Sequence, residues 1–234
     1  MGEDFELFAD YYDIRKDGNW EEPKNILFAT ESFVDYSERK NINPLDLEKR
    51  LDVSLEKLYT ARSARVRPGL DDKCITSWNS MMITAYVDAY QVFDNPEYLK
   101  RAKMAMRFIL KNNTGKDYKL NRIYKNDKSS VSGFLDDYAS TIQALIELYE
   151  VTFDVEWIHH AEKYLEYVIQ HFSAKDNPLY YYTSDLDPEL VARKIEIPDN
   201  VISSSNSIMA NNLYFLGLLL DKKIYSDMSL RMLG

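Results

Sequence analysis

The chain has a single cysteine, Cys74, among 234 residues. A disulfide framework needs pairs and a thiolate zinc site needs several, so both are excluded. Three histidines occur, His159, His160 and His171, and none stands in an HExxH or Cys/His spacing. No metal and no cofactor is expected from such a set. Seven glycines and seven prolines are too few for an all-β sandwich or barrel, whose many turns consume both. A GxGxxG or P-loop run is missing, so no nucleotide fingerprint is present. No stretch approaches 18 apolar residues, and the N-terminus is acidic rather than the basic start of a signal peptide. Basic charge is short as well: the net charge is −9. Nucleic-acid binders neutralise phosphate with Lys and Arg, and anionic membranes repel an acidic surface. The expectation is a cytoplasmic protein with neither nucleic acid nor membrane as partner.

Apolar residues are plentiful at 45%, enough to bury a core. Their spacing is helical. Met82, Ile83, Tyr86, Tyr90 and Phe93 predict a helix over 79–93. Asn95-Pro96 breaks it and starts the next, over 96–111. Further helices are predicted over 136–153 and 155–172, and a third pair opens at "SSSNSIMANN". An earlier helix spans about 44–65, with Phe33–Tyr36 as its partner. Residues 1–30 read as an extended N-terminal approach segment, and 31–234 as one helical domain. Short strands are expected near 118–124 and 180–197.

The hairpins repeat. A shift of 59 carries Trp78, Ala85, Tyr90, Tyr98 and Ala102 onto Asp137, Ala144, Tyr149, Trp157 and Ala161. Their first helices end "VFD", "TFD" and "LLD", at Asp94, Asp154 and Asp221, with Tyr98, Trp157 or Tyr225 following. Each corner is expected to have its Asp capping the second helix and its aromatic pinning the pair. The long polar insertions fall between hairpins and the tight corners within them. That placement favours a toroid over an open solenoid.

Four segments, "NWEEPKNIL", "ARVRPGLDDKCITSWNSMMI", "GFLDDYASTIQALIELYEVTFDVEW" and "SSSNSIMANNL", resemble the helical part of the spermatogenesis-associated, YyaL-like thioredoxin domain-containing proteins. The family pattern reads R-x-R-P-x-L-D-D-K-x-x-T-S-W-N-G, then G-F-L-D-D-Y-A, then S-G-N-S. Two departures are Ser80, where the family has Gly, and "SSSNS" in place of S-G-N-S. The resemblance implies an all-α fold: helical hairpins of an incomplete (α/α)6 toroid, six-hairpin glycosidase-like, with short β-hairpin insertions. It implies a preceding thioredoxin-like domain, absent from this chain, and a fragment with four of six hairpins. The family's biochemical activity is unassigned.

Polar clusters open the predicted inner helices: Arg67, Asp71, Asp72, Lys73, Trp78 and Asn79, then Asp136, Asp137 and Tyr138, then Ser204, Ser205 and Asn206. Carbohydrate sites combine carboxylates for proton transfer, amides and hydroxyls for sugar hydroxyls, and an aromatic face. Asp and Ser at helix N-termini are also ordinary caps, Arg67 and Lys73 could pair with the carboxylates, and Trp78 could be core. Two adjacent aspartates do not both cap one helix. Asp71 and Asp136 are therefore read as caps, and Asp72 and Asp137 as the acid/base pair of a carbohydrate-active, hydrolase-like toroid. Arg67, Lys73, Trp78, Asn79, Tyr138 and Asn206 are the expected substrate contacts. The alternative is a non-catalytic binding or scaffold domain beside a thioredoxin-like domain. An apolar C-terminal end, Val201, Ile208, Leu213, Leu216, Leu219 and Leu220, is expected to stand exposed and to support a homodimer.

Overall fold

The computed structural model describes residues 2–188 and 192–234. The chain divides into two compact units, 1–70 and 71–234. In the first, helices α1 (Phe5–Tyr11), α2 (Phe33–Arg39) and α3 (Pro44–Ser63) enclose a small core of Phe8, Tyr11, Tyr36, Leu47 and Leu51. The Tyr36 hydroxyl donates to Asp10 Oδ2 at 3.0 Å, and Asn43 caps α3 through Leu45 N ahead of Pro44. The segment expected to be extended thus carries α1, and the units part after Leu70, not after residue 30.

The second unit is three helical hairpins: α4 (Thr76–Phe93) with α5 (Pro96–Asn112), α6 (Leu135–Thr152) with α7 (Val155–Phe172), and α8 (Ser205–Leu219) with α9 (Lys223–Leu233). α4 packs on α6 and α6 on α8, so these three form an inner row, each backed by its own outer partner. One core runs through the unit, from Ile83 and Val87 through Ile142, Leu145 and Leu165 to Leu213 and Leu216. Trp157 is 1% exposed within it. A buried aromatic of this size contributes about 3–5 kcal/mol against truncation to Ala.

The corners confirm the repeat and correct its register. Asp94, Phe153 and Asp221 all adopt the left-handed conformation, with φ of 49°, 54° and 53°. The next residue is the N-cap: Asn95 accepts from Glu97 N and Asp154 from Glu156 N, while Lys222 has no capping oxygen. Of the three expected caps only Asp154 is one. Asp94 and Asp221 serve instead as turn residues, which Asp tolerates at positive φ.

The insertion after α5 forms β2 (Asn121–Lys125) and β3 (Lys128–Ser132), and β2 pairs antiparallel with β1 (Cys74–Ile75), which leads into α4. The strands expected over 180–197 are absent among the described residues; only an isolated bridge joins Ser173 to Tyr180. That segment is held by side chains. Asn206 takes Tyr180 N and O, and Arg193 donates to His171 O. Gly133 precedes α6 because a Cβ there would stand 3.1 Å from Leu120 Cβ and 3.3 Å from Tyr138 Cε2.

The apolar end expected to stand open is largely closed. Leu213 and Leu216 are buried and Ile208 and Leu220 partly so, because α9 covers them; Val201 and Leu219 remain exposed. No helix among the described residues is long and apolar enough to cross a membrane.

Candidate functional site

The starts of α4 and α6 meet through Asp137 and Ser77, and Arg122 of β2 reaches the start of α6. The guanidinium donates to Asp136 Oδ1 and Oδ2 at 2.9 and 3.0 Å and to Asp137 Oδ2 at 2.8 Å, and it lies over the Phe134 ring. Asp137 is fully buried. Its Oδ2 also accepts from Phe134 N at 3.0 Å, and its Oδ1 accepts from Ser77 N at 2.9 Å. One carboxylate thus satisfies free N–H groups at the starts of both α6 and α4. Burial and the neighbouring Asp136 push the Asp137 carboxyl up to about 6, against the pull of Arg122 and the two N–H donors.

This arrangement reverses the expected division of labour. Asp137, read as the free acid/base group, is the brace; Asp136, read as the cap, keeps a side chain 19% exposed. The cause is local. Phe134 stands at the N-cap and has no side-chain oxygen, so the N3 residue, Asp137, reaches back to the helix start.

The first cluster is open. Asp72 is exposed and pairs with Lys125 Nζ at 2.5 Å, which holds its carboxyl below the usual range. Asp71, expected to cap or brace the turn, braces it: it pairs with Lys73 Nζ at 3.1 Å and accepts from Lys73 N at 3.4 Å, while the N-cap of α4 is Ile75. Asp72 and Asp137 therefore meet different partners, one at the surface and one in the interior. Arg67 is exposed in the other unit. Trp78 is not core: it is 64% exposed on the first turn of α4. Beside it, Asn79 Nδ2 donates to Ile75 O at 2.8 Å.

Two further expected contacts are structural. Tyr138 is 1% exposed, its hydroxyl accepts from Leu120 N at 2.8 Å, and its ring stacks on Tyr167. Asn206 is spent on Tyr180 N, Tyr180 O and Glu196 O, at 2.8, 3.0 and 2.9 Å. Neither offers a polar atom to a ligand.

Sequence reasoning missed a second feature, a groove of about 350 Å³ on the inner row between α6 and α8. Its walls are Gln143, Glu147 and Glu150 on one side and Ser207, Asn211 and Phe215 on the other. Burial pushes the Glu147 carboxyl up, and Asp88 and Glu150 add to the shift. The signal was available: the 59-residue shift carries Thr84 and Asp88 onto Gln143 and Glu147, a polar stripe along otherwise apolar inner helices.

No family model matches the chain. It is 29% identical over 239 residues to an uncharacterised protein of Caenorhabditis elegans, covering 95% of this chain and 32% of that one. Human spermatogenesis-associated protein 20 is 24% identical over 227 residues, 89% of this chain and 29% of that protein. The chain thus spans about a third of the length of the curated relatives it matches. Among solved structures, a GH76 alpha-mannanase of Bacteroides thetaiotaomicron superposes with a TM-score of 0.55 at 17% identity, over 73% of this chain and 45% of that one. The cellobiose 2-epimerase of Bacillus thermoamylovorans gives 0.57 at 16%, over 68% and 43%. An unsaturated glucuronyl hydrolase specific for heparin gives 0.53 at 18%, over 86% and 58%. At these identities the likeness is one of fold. The chain is a homologue of spermatogenesis-associated protein 20, and its helical hairpins have the fold of the (α/α)6 toroids.

Proposed function

We propose that the chain binds carbohydrate at the rim where α4 and α6 begin. The observation that carries this reading is Trp78, a large indole face 64% exposed on the first turn of an inner helix. Amphipathic rings left in water at a helix start are suited to stacking on the apolar face of a sugar. Groups that exchange hydrogen bonds with hydroxyls stand on the first turn of α4, on the segment leading into it and at the start of α6: Asn79, Lys73, Asp72 and the part-exposed Asp136. The folds that share this architecture include proteins named for action on mannan, cellobiose and unsaturated glucuronides, which supports a sugar ligand.

Binding fits the rim better than two-carboxylate hydrolysis. Hydrolysis needs one carboxyl that gives a proton and a second that attacks or activates water. Asp137 is sealed under two helix starts, and Asp72 is ion-paired at the surface. The reading is tested by calorimetric titration of neutral manno- and gluco-oligosaccharides into the wild-type chain and Trp78→Ala. Binding by the wild type and its loss in the variant are expected. Equal affinities, or no binding by the wild type, would overturn it.

A further inference from the structure

We infer that the groove between α6 and α8 binds a small organic ammonium ligand bearing hydroxyl groups, with Glu147 receiving the ammonium. The groove lies apart from the rim: Glu147 is eleven residues beyond Asp136, about 16 Å along the α6 axis. A volume of about 350 Å³ is at the small end of ligand pockets, of a size for a single-ring molecule.

Glu147 is the reason for the charge. Its Oε1 accepts from Gln143 Nε2 at 3.0 Å, while Oε2 is buried with no hydrogen-bond partner. A carboxylate in that state is costly unless a donor or cation reaches it. The groups that face it supply neutral donors, Thr84 of α4 and Gln143 of α6, but no positive charge: Asp88 and Glu150 are acidic, and no Lys, Arg or His lines the groove among the described residues. What this acidic setting lacks is a positive charge.

A metal ion fits poorly, since no group of three His, Cys, Asp or Glu stands close enough to hold one among the described residues. An ammonium needs only acceptors. Glu147 and Glu150 provide these, and Phe215, 43% exposed across the groove, offers a ring face to the cation or to C–H groups. Asn211 and Ser207 are left for hydroxyls. An acidic sugar is excluded by the same charge.

The experiment is titration of the whole chain with glucosamine and, separately, glucose, just below neutral pH where the amine is charged. Glucosamine is expected to bind at least about tenfold more tightly than glucose. Glu147→Gln should lower glucosamine affinity by about tenfold without lowering the melting temperature, and Glu150→Gln, at an exposed position, by about threefold. Trp78→Ala should leave glucosamine affinity unchanged, which separates this site from the rim. Equal affinity for the two sugars, binding of neither, or glucosamine affinity indifferent to both glutamate substitutions would overturn the inference. Should Glu147→Gln unfold the chain, the Glu150→Gln result decides alone.

Discussion

The Asp137 carboxylate, planted at the start of α6, accepts the Ser77 backbone N–H of α4 at 2.9 Å. The two inner helices are thereby joined by a charge-assisted bond inside the core, where such bonds are strong.

Asp137→Asn should therefore be a stability mutant. An amide has one acceptor oxygen, so it would leave either Ser77 N or Phe134 N without an acceptor and would take the negative charge away from Arg122, which keeps only Asp136. The expected loss is about 2–4 kcal/mol in a urea or thermal melt. Asp72→Asn breaks only a surface pair with Lys125 and should leave the melting curve in place. Equal melts for the two variants would contradict the geometry.

Trp78→Ala should be silent in the same melts. The indole is 64% exposed, so its loss removes little buried area. A large destabilisation would reveal packing that the exposed ring does not make.

Glu147 sets a pH dependence. Burial raises its folded pKa above the unfolded value, so the native state holds the proton more tightly. Stability from this group is complete below the unfolded value, about 4.3, and is lost as pH rises through the folded value. Glu147→Gln cannot ionise and escapes that loss. The variant should be more stable than wild type at neutral pH, with the gap closing on acidification towards pH of about 4. Urea melts over a pH series measure the gap, and one that widens on acidification would refute the sign.

The corners predict opposite outcomes for two aspartates that look alike in sequence. Asp154→Ala removes the cap on Glu156 N and should cost about 1 kcal/mol. Asp94→Gly relieves a non-glycine residue at φ 49° and should be neutral or stabilising. Thermal melts of the pair would expose an error in the corner register.

Helix positions were legible because the apolar spacing is helical and Asn95-Pro96 punctuates it; the predicted 155–172 coincides with α7. The corner was legible only to within one residue, since "VFD" and "TFD" align by letter while the backbone aligns Asp94 with Phe153. The site was harder. Asp136 and Asp137 are equivalent in composition, and what separates them is the missing oxygen on Phe134 and the arrival of Arg122 from a strand fourteen residues upstream of Asp136. The first of these was in the sequence; the second depends on how β2 lies against the rim. The sequence alone marks Tyr138 and Asn206 as ligand contacts because buried polar groups and ligand-facing ones use the same residue types. Only their partners, Leu120 N and the Tyr180 backbone, tell them apart.

Buried polar bonds along the inner row have a mechanical consequence. Ser80 and Thr141 hydroxyls meet at 2.9 Å between α4 and α6, and Asn212 Nδ2 reaches Ala139 O at 2.8 Å between α8 and α6. With the Asp137–Ser77 bond they act as pins through adjacent staves. Sliding one helix past another by a turn, about 5.4 Å, would shear every pin and strand each group in a dry seam. Shear is thus closed to this row as a mode of movement, and any adjustment around a ligand falls to hinging segments outside it. The rim and the groove are cut into this pinned frame.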